Sequence, residues 1–118
     1  TLDNMDEDEL IFIPPMLIQP FIENSIEHGF SRIDYLGELT LNLSMKEKFI
    51  HCSIEDNGKG FTDNNHSNKR SMSMKLISDF LFKATKSEIK IIDKQKLSTK
   101  DSGVQISFLI PHKKTEND

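Results

Sequence analysis

Two short clusters hold most of the residues able to do chemistry. The first is Glu23-Asn24-Ser25-Ile26-Glu27-His28-Gly29, where Glu23, Asn24, Glu27 and His28 concentrate acceptors suited to a hard cation and the phosphates it accompanies. The second is Asp56-Asn57-Gly58-Lys59-Gly60-Phe61, where glycines let the backbone approach a flat ring while the Asp56 carboxylate accepts a hydrogen bond from an exocyclic amine. Taken alone, each reads at least as well in a plainer way. The first is equally the solvated face of an amphipathic helix, and the second a strand-ending turn, since Asn-Gly is a strong turn signal.

The elements that must position these clusters follow from the spacing of apolar residues. After Leu10 to Ile13 and the breaker Pro14-Pro15, the segment Met16 to His28 sets Leu17 and Phe21 beside Ile18, Ile22 and Ile26, spacings of four that predict a helix ending at Gly29. Pro20 lies inside it, where the missing N–H marks a late start or a bend. On a regular helix Asn24 and His28 share one face, turned away from the Ile18, Ile22, Ile26 stripe.

Leu39, Leu41, Leu43 and Met45 alternate with polar residues, as do Ile50, Cys52 and Ile54, which predicts an antiparallel hairpin turning at Lys46-Glu47-Lys48. A second helix is expected over Ser71 to Ala84, with Met72, Leu76, Phe80 and Met74, Ile77, Leu81 as its apolar rows. Strands follow at Ile89 to Ile92 and Val104 to Ile110, the latter stopped by Pro111. This order implies an α+β fold, a two-layer α/β sandwich with helices on one face of a mainly antiparallel mixed sheet.

Composition narrows the function classes. The chain has 118 residues, 36% hydrophobic and 29% charged, with eight Phe and no Trp. Those values suit one folded domain with a single modest core. The net charge is −4 and the 15 Lys and Arg form no basic stripe, so nucleic acid is not an expected partner. Cys52 is the only cysteine, which excludes internal disulfides and multi-cysteine zinc sites and suits a reducing compartment. No apolar run approaches the ~20 residues of a membrane helix, so no direct membrane contact is expected of this domain. The acidic stretch Asp3 to Glu9 reads as a linker from an upstream segment. The expected division is linker over residues 1–9, domain over 10–112 and polar tail over 113–118.

The conjunction of the two clusters carries more than either. "PPMLIQPFIENSIEHGF" followed by "IEDNGKGF" resembles the N box and first glycine box of the GHKL, or Bergerat-fold, ATPases, and "IPPMLIQPFIEN" most resembles the LytS/YehU-like branch of sensor histidine kinases. The resemblance runs from about Ile13 to Pro111 and includes the last strand, "SGVQISFLIP". It implies a Bergerat ATP-binding fold and the cofactors ATP and Mg²⁺. By that resemblance Asn24 ligates the Mg²⁺, Asp56 recognises the adenine amino group, and Gly58 and Gly60 shape the base pocket. Glu23 and His28 line the same cleft and join Asn24 as candidate catalytic residues.

Two departures from the family pattern matter. In the family's true ATPases a Glu one helical turn before the metal-binding Asn activates water, whereas here that position is Pro20, which has no base to offer. This favours a kinase that spares ATP until a histidine arrives. Related kinases also carry a second glycine-rich box, whereas "NHSNKRSMSMKLISDFL" has no Gly, and Ser73 stands at a glycine position as a candidate nucleotide contact. His66, Lys69, Arg70 and Ser71 are alternative phosphate contacts, or a polar loop with two incidental cations.

None of the four histidines, His28, His51, His66 and His112, stands in a phosphoacceptor helix. The acceptor is therefore expected on an upstream dimerisation segment, with a response regulator as the next partner. The resemblance further implies a homodimeric, membrane-anchored parent with this domain in the cytoplasm. The alternatives are a degenerate nucleotide-binding signalling module without turnover, or a stand-alone GHKL serine kinase or ATPase.

Overall fold

The computed structural model describes residues 2–3, 13–61, 69–98 and 101–111. Most of the expected acidic linker, the polar tail, Leu10, His66 and His112 lie outside the described residues. Within them the order is β1 (Leu2–Asp3), α1 (Pro15–Asn24), a π-helical turn (Ser25–Gly29), β2 (Leu39–Lys46), β3 (Phe49–Asp56), α2 (Lys69–Thr85), β4 (Lys90–Asp93), a 3₁₀ turn (Lys94–Lys96) and β5 (Val104–Pro111).

The strands form one sheet in the order β1-β2-β3-β5-β4. All its pairings are antiparallel except that of β1, whose two residues run parallel to Leu43 and Ser44. The alternation read in the sequence becomes a single apolar face. Leu43 sits opposite Cys52 and Cys52 opposite Phe108, while Ile54 sits opposite Ile106 and Ile106 opposite Ile91. Because side chains alternate along a strand, this register places Leu43, Ile50, Cys52, Ile54, Val104, Ile106 and Phe108 together in the core.

The helices close that face with Leu17 and Phe21 from α1 and Met74, Ile77 and Leu81 from α2. The α+β sandwich is as expected, but the faces the helices bury are not. On α1 the buried residues are Leu17, Phe21 and Asn24, with Ser25 next to them, whereas Ile26 is 61% exposed. Asn24 therefore lies on the core-facing row and not on a solvated face opposite the isoleucines. The cause is twofold. Phe21, the largest side chain of the segment, anchors the row at i, i+4 and i+7, and the helix then widens into a π turn, with Phe30 N–H donating to Ser25 O at 2.8 Å. The extra residue in that turn also breaks the four-residue alignment of Asn24 with His28.

On α2 only one of the two apolar rows is covered. Met74, Ile77 and Leu81 are buried, whereas Met72, Leu76 and Phe80 are exposed. The buried row begins with Arg70, a cation at a position where the helix period calls for an apolar side chain. That residue and the core-facing Asn24 and Ser25 meet at the end of β3, where Asp56 stands.

Candidate functional site

Asp56 ends β3 as that strand emerges between β2 and β5, so its side chain continues the buried row Ile50, Cys52, Ile54. A carboxylate there must be fully hydrogen-bonded to be tolerated. Its Oδ1 accepts from Gly58 N–H at 3.0 Å and Val104 N–H at 3.2 Å. Its Oδ2 accepts from Ser25 Oγ at 2.6 Å and from the Arg70 guanidinium. Two backbone donors thus fix the carboxylate plane, and one oxygen is turned toward the space between β3, α1 and α2.

Arg70 fills that space. Its Nη2 pairs with Asp56, its Nε donates to Asn24 Oδ1 at 2.9 Å, and its Nη1 donates to the carbonyl of Lys59. The Arg70 and Asp56 side chains are 6% and 0% exposed. An ion pair so placed orders the site, and removal of either partner strands the other charge in the interior.

Glycines make the close approaches possible. A Cβ on Gly29 would stand 2.5 Å from Arg70 Nη1, and a Cβ on Gly58 would run into the backbone of Gly29, whose carbonyl accepts from Lys59 N–H at 2.7 Å. Gly60 instead backs onto Asp93, where a Cβ would meet Oδ1 at 2.6 Å. Asp93 in turn accepts from Phe61 N–H at 3.2 Å and Gln95 N–H at 3.1 Å, so it ties the second cluster to the start of the 3₁₀ turn.

Asn57 secures the outer side. Its Oδ1 accepts from Glu38 N–H at 2.7 Å, its Nδ2 donates to Leu36 O at 3.0 Å, and its own carbonyl accepts from Tyr35 Oη at 2.6 Å. The Asn-Gly pair is thus a turn that is also stapled to the segment before β2.

On the other side of Asn24 a cleft of about 280 Å³ opens between the helices, lined by Pro20, Glu23, Asn24, Glu27, Ser73 and neighbouring apolar residues of α2. Glu23 is held at its mouth by Gln19, whose Nε2 donates to Oε1 at 3.1 Å. Ser73 lies in the regular α2 helix with no positive φ, so no glycine is needed at that position. The structure therefore brings Glu23, Asn24 and Ser73 to one cleft and Asn24, Asp56 and Gly58 to one buried hydrogen-bonded cluster around Arg70. His28 lines neither; it is half-buried, with Nε2 4.0 Å from Glu27 Oε2. Gly60 supports the pocket only through Asp93.

No protein-family profile matches the chain. The uncharacterized protein YwpD of Bacillus subtilis is 34% identical over 116 residues, covering 92% of this chain and 40% of YwpD. The sensor protein LytS of Bacillus cereus is 27% identical over 121 residues, covering 95% of this chain and 20% of LytS. Among solved structures, the nucleotide-free catalytic domain of the histidine kinase ThkA superposes with a TM-score of 0.56 at 11% identity, covering 93% of this chain and 76% of that one. The chain has the fold of histidine kinase catalytic domains, and its sequence is similar to that of LytS sensor proteins. It spans less than half the length of the curated relatives it matches.

Several residues that meet at Asp56 gave no sign of that role in the sequence. Ser25 and Val104 reach Asp56 only through the fold, and Arg70, expected as a phosphate contact or an incidental cation, is instead buried against Asp56 and Asn24. Gly103 was open to discovery, since its φ of 107° and its contact with the Asp56 backbone both demand glycine.

Proposed function

We propose that this domain binds Mg-ATP between the end of β3 and helices α1 and α2 and transfers the γ-phosphate to a histidine elsewhere in its parent protein. One observation carries the reading. Asp56 has Oδ1 fixed by two backbone N–H groups, and its Oδ2, which accepts from Ser25 Oγ and the Arg70 guanidinium, is the oxygen that an incoming donor would take over from Arg70. The exocyclic amine of adenine is such a donor, whereas guanine has a carbonyl oxygen at that position.

Asn24 is the residue that would hold Mg²⁺. Arg70 carries donors only, so the amide atom facing its Nε must be Oδ1, an oxygen ligand aimed into the polar pocket. Its Nδ2 has no partner among the described residues, which leaves the amide able to reorient. Mg²⁺ takes few protein groups and completes its shell with phosphates and water, so one amide oxygen fits it. When bound, the ion neutralises charge on the phosphates.

The chain's own groups then divide the work. Gly58 gives the base its close approach, and Ser73 presents a hydroxyl to the phosphates. Glu23, fixed by Gln19 at the cleft mouth, orients the incoming imidazole and takes its N–H proton as the new P–N bond forms and the bond to the β-phosphate oxygen breaks. Pro20 lines the same cleft with no proton acceptor, which supports retention of ATP against water. His28 stands at the rim beside Glu27, and Gly60 acts through Asp93. The parent is proposed to be a membrane-anchored homodimer, with residues 1–9 linking this domain to the histidine-bearing segment, residues 10–112 forming the domain and a response regulator as the final acceptor.

Calorimetric titration tests this. The wild-type chain should bind Mg-ATP, Asn24→Ala should weaken Mg-ATP by about tenfold or more with little change for ATP in excess EDTA, and neither protein should release phosphate steadily. No affinity for ATP or ADP up to millimolar concentration overturns the proposal. The occupation of the pocket by Arg70 favours one second reading, a nucleotide-binding signalling module without turnover; absence of phosphotransfer to any histidine-bearing segment of the parent, with binding intact, would select it.

A further inference from the structure

We infer that Arg70 is an internal competitor for the nucleotide, a side chain that occupies the amine-reading end of the pocket and must withdraw before a base can enter. The inference rests on the nucleotide site proposed above. Three observations carry it. Arg70 places an N–H donor on Asp56 Oδ2, the one carboxylate oxygen not held by the backbone, and so takes the place an exocyclic amine would take. Its Nε caps Asn24 Oδ1, the oxygen a hard cation would need. Its third contact, to the Lys59 carbonyl, lies between the two glycines of the second cluster.

One guanidinium thus covers both recognition points of the site at once, and the backbone is shaped to receive it. Gly29 has no side chain where a Cβ would press on Nη1 and Cζ at 2.5 and 3.0 Å. The cleft of about 280 Å³ between the helices lies on the other side of Asn24, and neither Asp56 nor Arg70 lines it. The chain in this state is closed to the base by its own side chain.

The consequence is thermodynamic. The measured affinity equals the intrinsic affinity reduced by the fraction of molecules with Arg70 withdrawn. Once withdrawn, a guanidinium at the second residue of α2 is free to pair with phosphate oxygens. Nucleotides with phosphates therefore recover part of what displacement costs, and a bare nucleoside recovers none.

Two measurements test the inference. In the first, adenosine and Mg-ATP are titrated into the wild-type chain and Arg70→Ala. Adenosine should bind the variant about tenfold more tightly, with a smaller gain for Mg-ATP, and millimolar guanidinium chloride should compete with adenosine on the variant more than equimolar sodium chloride does. Adenosine affinity that is equal or weaker in Arg70→Ala overturns the inference. The second needs no substitution. Arg32 and Arg70 are the only arginines, and Arg32 is exposed, so nitrogen-15 NMR of the arginine Nε–H groups should show one slowly exchanging signal in the free chain. Saturation with Mg-ATP should remove or shift it, and an unchanged signal in the bound chain overturns the inference with nucleotide binding intact. If no nucleotide binds either protein, the proposed nucleotide site itself falls and takes this competitor with it.

Discussion

At the scale of the residue, the site is a buried carboxylate with an excess of donors. Asp56 accepts from Gly58, Val104, Ser25 and Arg70, and each donor comes from a different part of the chain. That is why Asp56 was legible in the sequence, within an Asp-Asn-Gly turn, while the pairing of Ser25 and Arg70 with it was not. Their partners lie 31 and 14 residues away, distances at which no local pattern reports. A second residue-scale consequence concerns Cys52. It is buried in the sheet, and burial pushes its thiol from 9.0 up to about 12. The folded chain holds this proton more tightly than the unfolded one, so stability from this source is complete below pH 9 and declines as pH rises from there toward 12. Urea titrations at pH 8 and at pH 10.5 should show a drop in the wild-type chain that is reduced in Cys52→Ala. The thiol should also react with a disulfide reagent at neutral pH only after unfolding.

At the scale of the element, α1 shows where apolar spacing misleads. Ile18, Ile22 and Ile26 make a convincing row, yet the buried row is Leu17, Phe21 and Asn24, and Ile26 faces outward. A π turn has no sequence signature comparable to a cap or a proline, so the widened turn over Ser25–Gly29 was out of reach. What the sequence did show was the existence and order of every helix and long strand, because alternation and four-residue spacing are local signals. The join between the 3₁₀ turn and β5 depends on Gly103, whose φ of 107° and contact with the Asp56 carbonyl admit no side chain without strain. Gly103→Ala should lower unfolding stability by about 1 to 3 kcal/mol in urea and weaken Mg-ATP, because Val104 N–H would move off the Asp56 carboxylate.

At the scale of the whole molecule, one sheet face and two helices bury a single core that runs without a break from Phe108 through Phe21 to Leu81. The polar site lies at the end of that core, where β3 and β5 meet the start of α2, so the same packing that stabilises the fold sets the distance between Asp56 and Asn24. The fold class was legible because it depends on element order; the closed state of the pocket was not, because it depends on one side chain from α2 crossing to β3. The claim that ties these levels together is that Asp56 reads an exocyclic amine. The direct measurement is parallel calorimetric titration of Mg-ATP and Mg-GTP into the wild-type chain and Asp56→Asn. The account predicts that the wild type prefers Mg-ATP by about tenfold or more and that Asp56→Asn loses this preference together with most of its affinity. Equal affinity of the wild type for the two nucleotides, or Mg-ATP binding that survives Asp56→Asn unchanged, would contradict it.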